Sequence, residues 1–247
     1  MIPNPIRKVL STMAARQVRA LLMGGQACVF YGAAEFSRDT DLAVLAEPDN
    51  LDRLRVALAD LQAERIAMPP FEIDFLLRGH AIHFRCQHPE AAGMRVDVMA
   101  VMRGVAPFQE LWERRIVLAD AEGVTYELLS LPDLVQAKKT QRDKDWPMLR
   151  RLVEADYYAG RNEASAERVQ FWLRELRTPE LLIELAAQHT SVANELAGER
   201  PLLSCAKPGQ TADLQTALES EEKRERERDR AFWQPLKAEL ARLRHEP

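Results

Sequence analysis

Apolar residues recur at helical spacing at the start of the chain. Ile6, Val9, Leu10, Met13 and Val18 stand among basic residues and predict a short amphipathic helix over residues 6–19. Residues 19–23 then read as a buried strand, stopped by Gly24 and Gly25. Residues 26–31 start a helix with Gly32 as its terminator, and residues 41–45 form a second strand ended by Glu47 and Pro48. Leu51, Leu54, Val56, Leu58 and Leu61 mark a further helix, with Asp49 or Asn50 as its N-cap. After the break at Pro69 and Pro70, three strands are expected at residues 71–77, 81–86 and 94–99. Pro107 opens a helix through Phe108, Leu111 and Trp112, and two short strands follow near residues 116–118 and 124–128.

Beyond residue 130 the strand signal fades. Residues 131–247 read as helices, with breaks near residues 160–162, at Thr178-Pro179 and over residues 198–209. The pattern therefore predicts an α/β (α+β) fold: a mixed sheet in residues 1–130 and a helical half in residues 131–247.

Composition narrows the class. The 247 residues are 47% hydrophobic and 29% charged, which excludes collagen-like, mucin-like and wholly disordered chains. A net charge of −4 argues against a uniformly basic nucleic-acid coat, though not against a local basic site. No apolar run approaches the ~18 residues needed to span a bilayer. The segment Met1 to Lys8 lacks the apolar centre of a signal peptide, and three scattered cysteines do not suggest a disulfide framework. The expectation is a cytoplasmic protein without a membrane partner. Residues 219–230 hold six acids and five bases, whose spacing favours a solvated helix face over an RNA-binding arm.

The candidate chemistry lies in three places. Gly24-Gly25 follows a strand, Asp39-Thr40-Asp41 enters the next one, and Asp97 lies inside the apolar strand at residues 94–99. Strand residues two apart share a face, so Asp39 and Asp41 can reach one point, and Asp97 can join them from a neighbouring strand. Three clustered carboxylates repel unless a cation sits among them, and hard oxygen donors suit Mg²⁺ or Mn²⁺. Such an acidic set, next to a glycine turn whose amides can cradle phosphates, suits phosphoryl or nucleotidyl transfer. Asp74 is the rival third carboxylate. His80, His83, Cys86 and His88 look like a zinc cluster, but along one strand they are too far apart, and on opposite faces, to share one ion. Lys138, Lys139, Arg142 and Lys144 form the dense basic segment of the chain; Lys138 and Arg142 share a helix face, and Asp145 follows them as an orienting or capping acid. Met148, Leu149, Leu152 and Val153 read as core, as do Trp172, Phe232 and Trp233.

Residues 21–27 (LLMGGQA), 37–42 (SRDTDL) and 95–98 (RVDV) resemble the polymerase-β-like nucleotidyltransferase superfamily, with its bacterial minimal and toxin-type branch as the nearest pattern. Residues 104–112 and 134–145 are similar to segments that follow the third carboxylate there. The resemblance covers residues 20–150, with Gln26 standing where many members carry serine. It implies a mixed-sheet transferase moving NMP from a nucleoside triphosphate to an acceptor hydroxyl on RNA (tRNA included), a protein or a small molecule. Asp39, Asp41 and Asp97 would be catalytic and metal-binding, while Gly24, Gly25, Arg38, Lys138, Arg142 and Lys144 would hold the nucleotide. A non-catalytic nucleotide-binding or interaction module, such as one component of a toxin–antitoxin pair with an antitoxin partner, is the alternative.

Overall fold

One mixed seven-stranded sheet organises the first part of the chain. A computed structural model describes residues 4–119 and 123–245, so Met1 to Pro3 lie outside the described residues. The strands are β1 (Ala20–Met23), β2 (Asp39–Val44), β3 (Glu64–Arg65), β4 (Ile82–Arg85), β5 (Arg95–Met99), β6 (Ile116–Ala119) and β7 (Thr125–Leu128), in spatial order β3-β4-β5-β2-β1-β7-β6. The β2–β5 and β1–β7 pairs are parallel and the rest antiparallel. Alternation sorts the central strands into two faces. Leu22, Thr40, Leu42, Val44, Ile82, Phe84, Val96 and Val98 point to one side and are all buried. Helix α1 (Asn4–Ala15) packs on β2 and β7 with Ile6, Val9, Leu10 and Met13 buried, and touches α3 (Pro48–Asp60). The opposite face carries Asp39, Asp41, Asp97, Arg95 and His83.

Helix α2 (Gly24–Phe30) begins directly after β1 and packs on β1 and β2. Helix α3 is entered through Pro48 in its first turn, so Glu47 is its N-cap and Asp49 and Asn50 lie inside it. Asn50 is instead fully buried. Its Oδ1 accepts from the Arg19 amide at 2.7 Å, and its Nδ2 donates to the Arg19 and Leu45 carbonyls at 3.1 and 2.8 Å. It therefore ties the head of β1 to the exit of β2.

The expected strand at residues 71–77 is not formed. Ile73–Arg78 is helix α4, with Phe75 and Leu76 buried and Gly79 as a left-handed cap at φ 99°. The Gly79 and His80 amides bond back to Leu76 and Phe75, the closing pattern that a glycine permits. A short apolar alternation fits either state, and the glycine terminator decided it for the helix. The two-residue β3 was not anticipated. Helices α5 (Phe108–Glu113) and α6 (Leu131–Ala137) complete this region.

The chain divides into two compact units: residues up to Ala137 together with those from Phe232 onward, and Lys138–Ala231. The expected boundary at 130 thus falls one helix early, and the last turns of α11 (Thr211–Leu243) belong with the sheet. Contacts explain that assignment. Glu239 meets the fully buried His80 at 2.7 Å and Arg78 at 3.1 Å, and Leu236 is buried.

The second unit contains α7 (Asp145–Gly160), α8 (Ala166–Glu175), α9 (Pro179–Gln188), α10 (Thr190–Leu196) and the start of α11. Leu149, Leu152, Val153 and Trp172 lie in its core as expected, Met148 is only half-buried, and Tyr157, not anticipated, joins the core edge-to-face with Trp172 at 5.2 Å. The charged run at 219–230 is a helix but not only a solvated face. Asp229 is buried and accepts from the Gln141 amide at 2.8 Å, and Glu221 turns inward to two arginines. Among the described residues no helix is long and apolar enough to cross a membrane.

Removing the Asn50 side chain takes the partner from the Arg19 amide and the Leu45 carbonyl, while the Arg19 carbonyl keeps the Leu45 amide at 3.1 Å. Asn50→Ala is expected to cost about 2 kcal/mol, read as a lower urea midpoint at unchanged slope; an unaltered midpoint would deny it that role.

Candidate active site

The acidic face is built by register. Asp41 pairs with Asp97 across the parallel β2–β5 ladder, Asp39 with Arg95, and on the far side Asp97 with His83 of β4. Paired residues in a sheet share a face, so this places all three expected carboxylates on one side of the central strands. Asp39 and Asp41 are half-buried, with fully buried Thr40 pointing the other way. Asp97 is 9% exposed.

The glycine pair abuts this face. Met23 pairs with Asp41, and Gly24 turns the chain into α2 at φ 67°. A Cβ on Gly24 would lie 1.8 Å from Asp41 Oδ2, while one on Gly25 would meet Ser37 Oγ at 2.8 Å. The absent side chain is what lets the Gly25 amide approach Asp41 Oδ2, at 3.4 Å. Ser37 pins the loop before β2: its Oγ donates to the Asp39 carbonyl at 3.0 Å. Arg38 is exposed and lies 5.9 Å from the Phe36 ring centre.

Two site residues were missed from the sequence. Arg95 Nε donates to Asp97 Oδ1 at 2.7 Å, and His83 Nδ1 lies 2.8 Å from the same oxygen. Burial pushes the Asp97 carboxyl up, but His83 and Arg95 outweigh it and hold it below the usual carboxylate range. Arg95 is itself raised, chiefly by its bond to Asp97 and further by the charges of Asp39 and Asp41. It is the internal cation of the acidic face. Its spacing from Asp97, two residues along a strand, carried that signal in the sequence. The place of His83 depends on strand register and did not.

Asp39 and Asp41 offer the hard carboxylate oxygens that Mg²⁺ or Mn²⁺ takes, on one face and beside the space left by Gly24, so the donor set fits such an ion. Among the described residues no three His, Cys, Asp or Glu side chains converge as a ready-made metal group; Asp97 is instead held by Arg95 and His83. Asp74 is exposed in the first turn of α4, away from the strand context expected for it. The four zinc-like residues have separate tasks. His80 meets Glu239, His83 meets Asp97, His88 accepts from the Glu90 amide, and burial pushes the Cys86 thiol up to about 11.

In the second unit, Lys138 is buried and Asp145 almost completely so. Asp145 takes Lys138 Nζ at 3.3 Å, Arg142 Nε at 2.7 Å and Thr140 Oγ1 at 2.5 Å. Lys138 and Arg142 therefore direct their charge at this acid, Lys139 pairs with Glu175 at 2.8 Å, and Lys144 is exposed.

No family model matches the chain, and no curated protein matches it. Solved structures do resemble it. Over 95% of this chain and 94% of the other, it is 12% identical to JHP933 from Helicobacter pylori, with a TM-score of 0.38. A solution structure of the antibiotic-resistance factor ANT(2'')-Ia is 11% identical over 88% and 90% of the two chains, with a TM-score of 0.36. A crystal structure of ANT(2'')-Ia with adenylyl-2''-tobramycin is 12% identical over 87% and 95%, with a TM-score of 0.33. At these values the likeness assigns neither family nor activity.

Two outcomes follow from the geometry. Gly24→Ala is expected to cost more than ~1 kcal/mol, because it combines a positive φ with a clash on Asp41. Gly25→Ala, which only turns Ser37 aside, should cost less; denaturant melts that rank them equally would contradict the turn's role. Burial pushes the Asp145 carboxyl up, but Lys138, Thr140 and Arg142 outweigh it and hold it low. Its ionised form therefore stabilises the fold above the ordinary carboxylate value of ~4, and this is lost as pH falls through the lower folded value. Asp145→Asn should cost about 3 kcal/mol near pH 7, with the gap to the parent closing on acidification. A gap that is independent of pH would refute this.

Proposed function

We propose that the acidic face of the sheet is the active site of a nucleotidyltransferase. The reaction forms a bond between an acceptor hydroxyl oxygen and the α-phosphorus of a nucleoside triphosphate, breaks the α–β phosphoanhydride bond, and releases pyrophosphate and the hydroxyl proton. The observation that carries this reading is the register that sets Asp41 beside Asp97, with Asp39 on the same face and the Gly24 turn abutting Asp41. Three acids on one face, one of them against such a turn, are costly for the fold alone and useful to a cation-dependent phosphate chemistry.

Asp39 and Asp41 would hold Mg²⁺ or Mn²⁺, with Asp97 as the third anion of the set. The bound cation supplies charge neutralisation at the triphosphate and polarises the reacting oxygens. Asp97, kept ionised by His83 and Arg95, is a weak proton acceptor at neutral pH, so its contribution is charge and orientation. The Gly25 amide and exposed Arg38 stand next to these acids and offer donors to phosphate oxygens. The classes of acceptor to be tested are RNA, a protein hydroxyl and a small polyhydroxyl compound.

The test is incubation with each α-labelled NTP, a divalent cation and either RNA, lysate protein or small-molecule acceptors, followed by identification of what becomes labelled. Transfer is expected with the parent chain and is expected to fall by at least about a hundredfold in Asp39→Asn and Asp41→Asn at unchanged far-UV circular dichroism. Asp97→Ala should also lose transfer, whereas Asp74→Ala should keep it. Transfer at the parental rate in either aspartate-to-asparagine variant would overturn the assignment. Nucleotide binding without transfer to any acceptor would favour a binding module instead.

A further inference from the structure

The sheet face that carries the three acids continues past them into a pair of arginines. Asp39 and Asp41 of β2 ladder with Arg95 and Asp97 of β5, and these ladder with Arg85 and His83 of β4. Laddered residues share a face, so Arg95 and Arg85 stand side by side in the row that begins at Asp39. With strands ~4.8 Å apart, the Arg85 backbone lies about 10 Å from that of Asp39. The acids therefore have two unlike flanks. On the β1 side is the glycine turn, abutting Asp41, and on the β4 side are the two guanidinium groups.

Arg95 is held in place and still has donors to give. Its Nε and Nη2 form one edge of the guanidinium plane, and they reach Asp97 Oδ1 at 2.7 Å and His83 Nδ1 at 3.0 Å. The opposite edge, Nη1 with the second Nη2 hydrogen, meets no acceptor among the described residues, and the side chain is 38% exposed. Asp97 keeps its Oδ2 unbonded among the described residues, so Arg95 need not leave for that acid to serve a cation. Arg85 is exposed and forms no ion pair or hydrogen bond among the described residues. Its ladder neighbour on β3, Glu64, is exposed and takes none either.

We infer that Arg95 and Arg85 form a subsite for the acceptor, so that the compound receiving the nucleotidyl group carries a phosphate near its reacting hydroxyl. This rests on the transferase reading. In-line displacement puts the attacking and leaving oxygens on opposite sides of the α-phosphorus. Pyrophosphate leaves toward the glycine turn, where the Gly25 amide offers a donor, and the acceptor then enters from the β4 flank. A free guanidinium edge matches two phosphate oxygens with charge-assisted bonds. Arg95 offers that edge already ordered, because Asp97 and His83 fix its plane, which lowers the cost of binding. The same two charges repel a cationic acceptor. The end of a nucleic-acid strand and a small phosphorylated polyol share the required chemistry.

The experiment is calorimetric titration of the full chain with Mn²⁺ and a non-hydrolysable nucleoside triphosphate already bound. The probes are a short single-stranded RNA with a free terminal hydroxyl, glycerol phosphate, glycerol and an aminated polyol. Saturable binding of RNA or glycerol phosphate is expected, with glycerol and the aminated polyol at least about tenfold weaker. Binding of RNA alone assigns the phosphate to a nucleic-acid end, and binding of glycerol phosphate alone assigns it to a small polyol. Arg85→Gln should weaken the phosphorylated probe about fivefold or more and leave triphosphate affinity within about twofold. Arg95→Lys, which keeps the charge and loses the fork, should weaken it about tenfold; if that variant fails to fold, the exposed Arg85→Gln decides. Undiminished binding in Arg85→Gln, a loss that falls on the triphosphate instead, or preference for the aminated polyol would each overturn the proposal. Failure of the triphosphate itself to bind with Mn²⁺ would remove the active-site reading and this inference together. A bound triphosphate with no phosphorylated probe binding below about 10 mM would remove the acceptor subsite alone.

Discussion

Like charge on one face of a sheet is the constraint around which the first unit is arranged. The parallel pairing of β2 with β5 sets Asp41 directly beside Asp97, and strand periodicity adds Asp39 to the same side. Such a group can persist in a folded chain only if something positive enters it. Here Arg95, two residues before Asp97, does so, and His83 reaches the same oxygen from β4. The glycine turn makes the second half of the bargain possible, since only a residue without a side chain can pass so close to Asp41. The other face of the same strands is buried and apolar except for Thr40, which leaves the register no freedom to slip: a shift by one residue would drive three carboxylates into the core.

Much of this was legible in the sequence. The Asp39-Thr40-Asp41 alternation, the glycine pair after an apolar run and an acid inside an apolar strand are local patterns with one physical reading each. The identity of β5 as the neighbour of β2 was not local, and it was anticipated through resemblance rather than periodicity. Failures came where several residues fit two states. The stretch around Asp74 alternates like a strand, yet it forms α4 because Gly79 closes a helix. Asn50 looks like a cap and serves as a buried clamp, because Pro48 starts the helix earlier. His83 could not be found without knowing which strand lies beside β5.

The second unit shows the same limit in another form. Its apolar spacing identified core positions such as Leu149, Leu152, Val153 and Trp172, but its charges read as solvated at residues 219–230 and as free for a nucleotide at residues 138–144. In the fold they turn inward. Asp145 gathers Lys138, Thr140 and Arg142, and Glu221 bridges Arg177 and Arg200. Helical periodicity tells which charges share a face but not whether that face meets solvent or another helix. The basic segment expected to serve a nucleotide is therefore, in large part, an element of this unit's own ion-pair architecture.

The most direct measurement is Mn²⁺ binding followed by electron paramagnetic resonance, with a non-hydrolysable nucleoside triphosphate present. Binding to the parent chain should be saturable and strengthened by the nucleotide, and Asp39→Asn or Asp41→Asn should abolish it while thermal melting remains cooperative. Mn²⁺ that binds equally well to both variants, or no binding to the parent chain with nucleotide in excess, would contradict the assignment of the acidic face as a cation-dependent nucleotidyl transfer site.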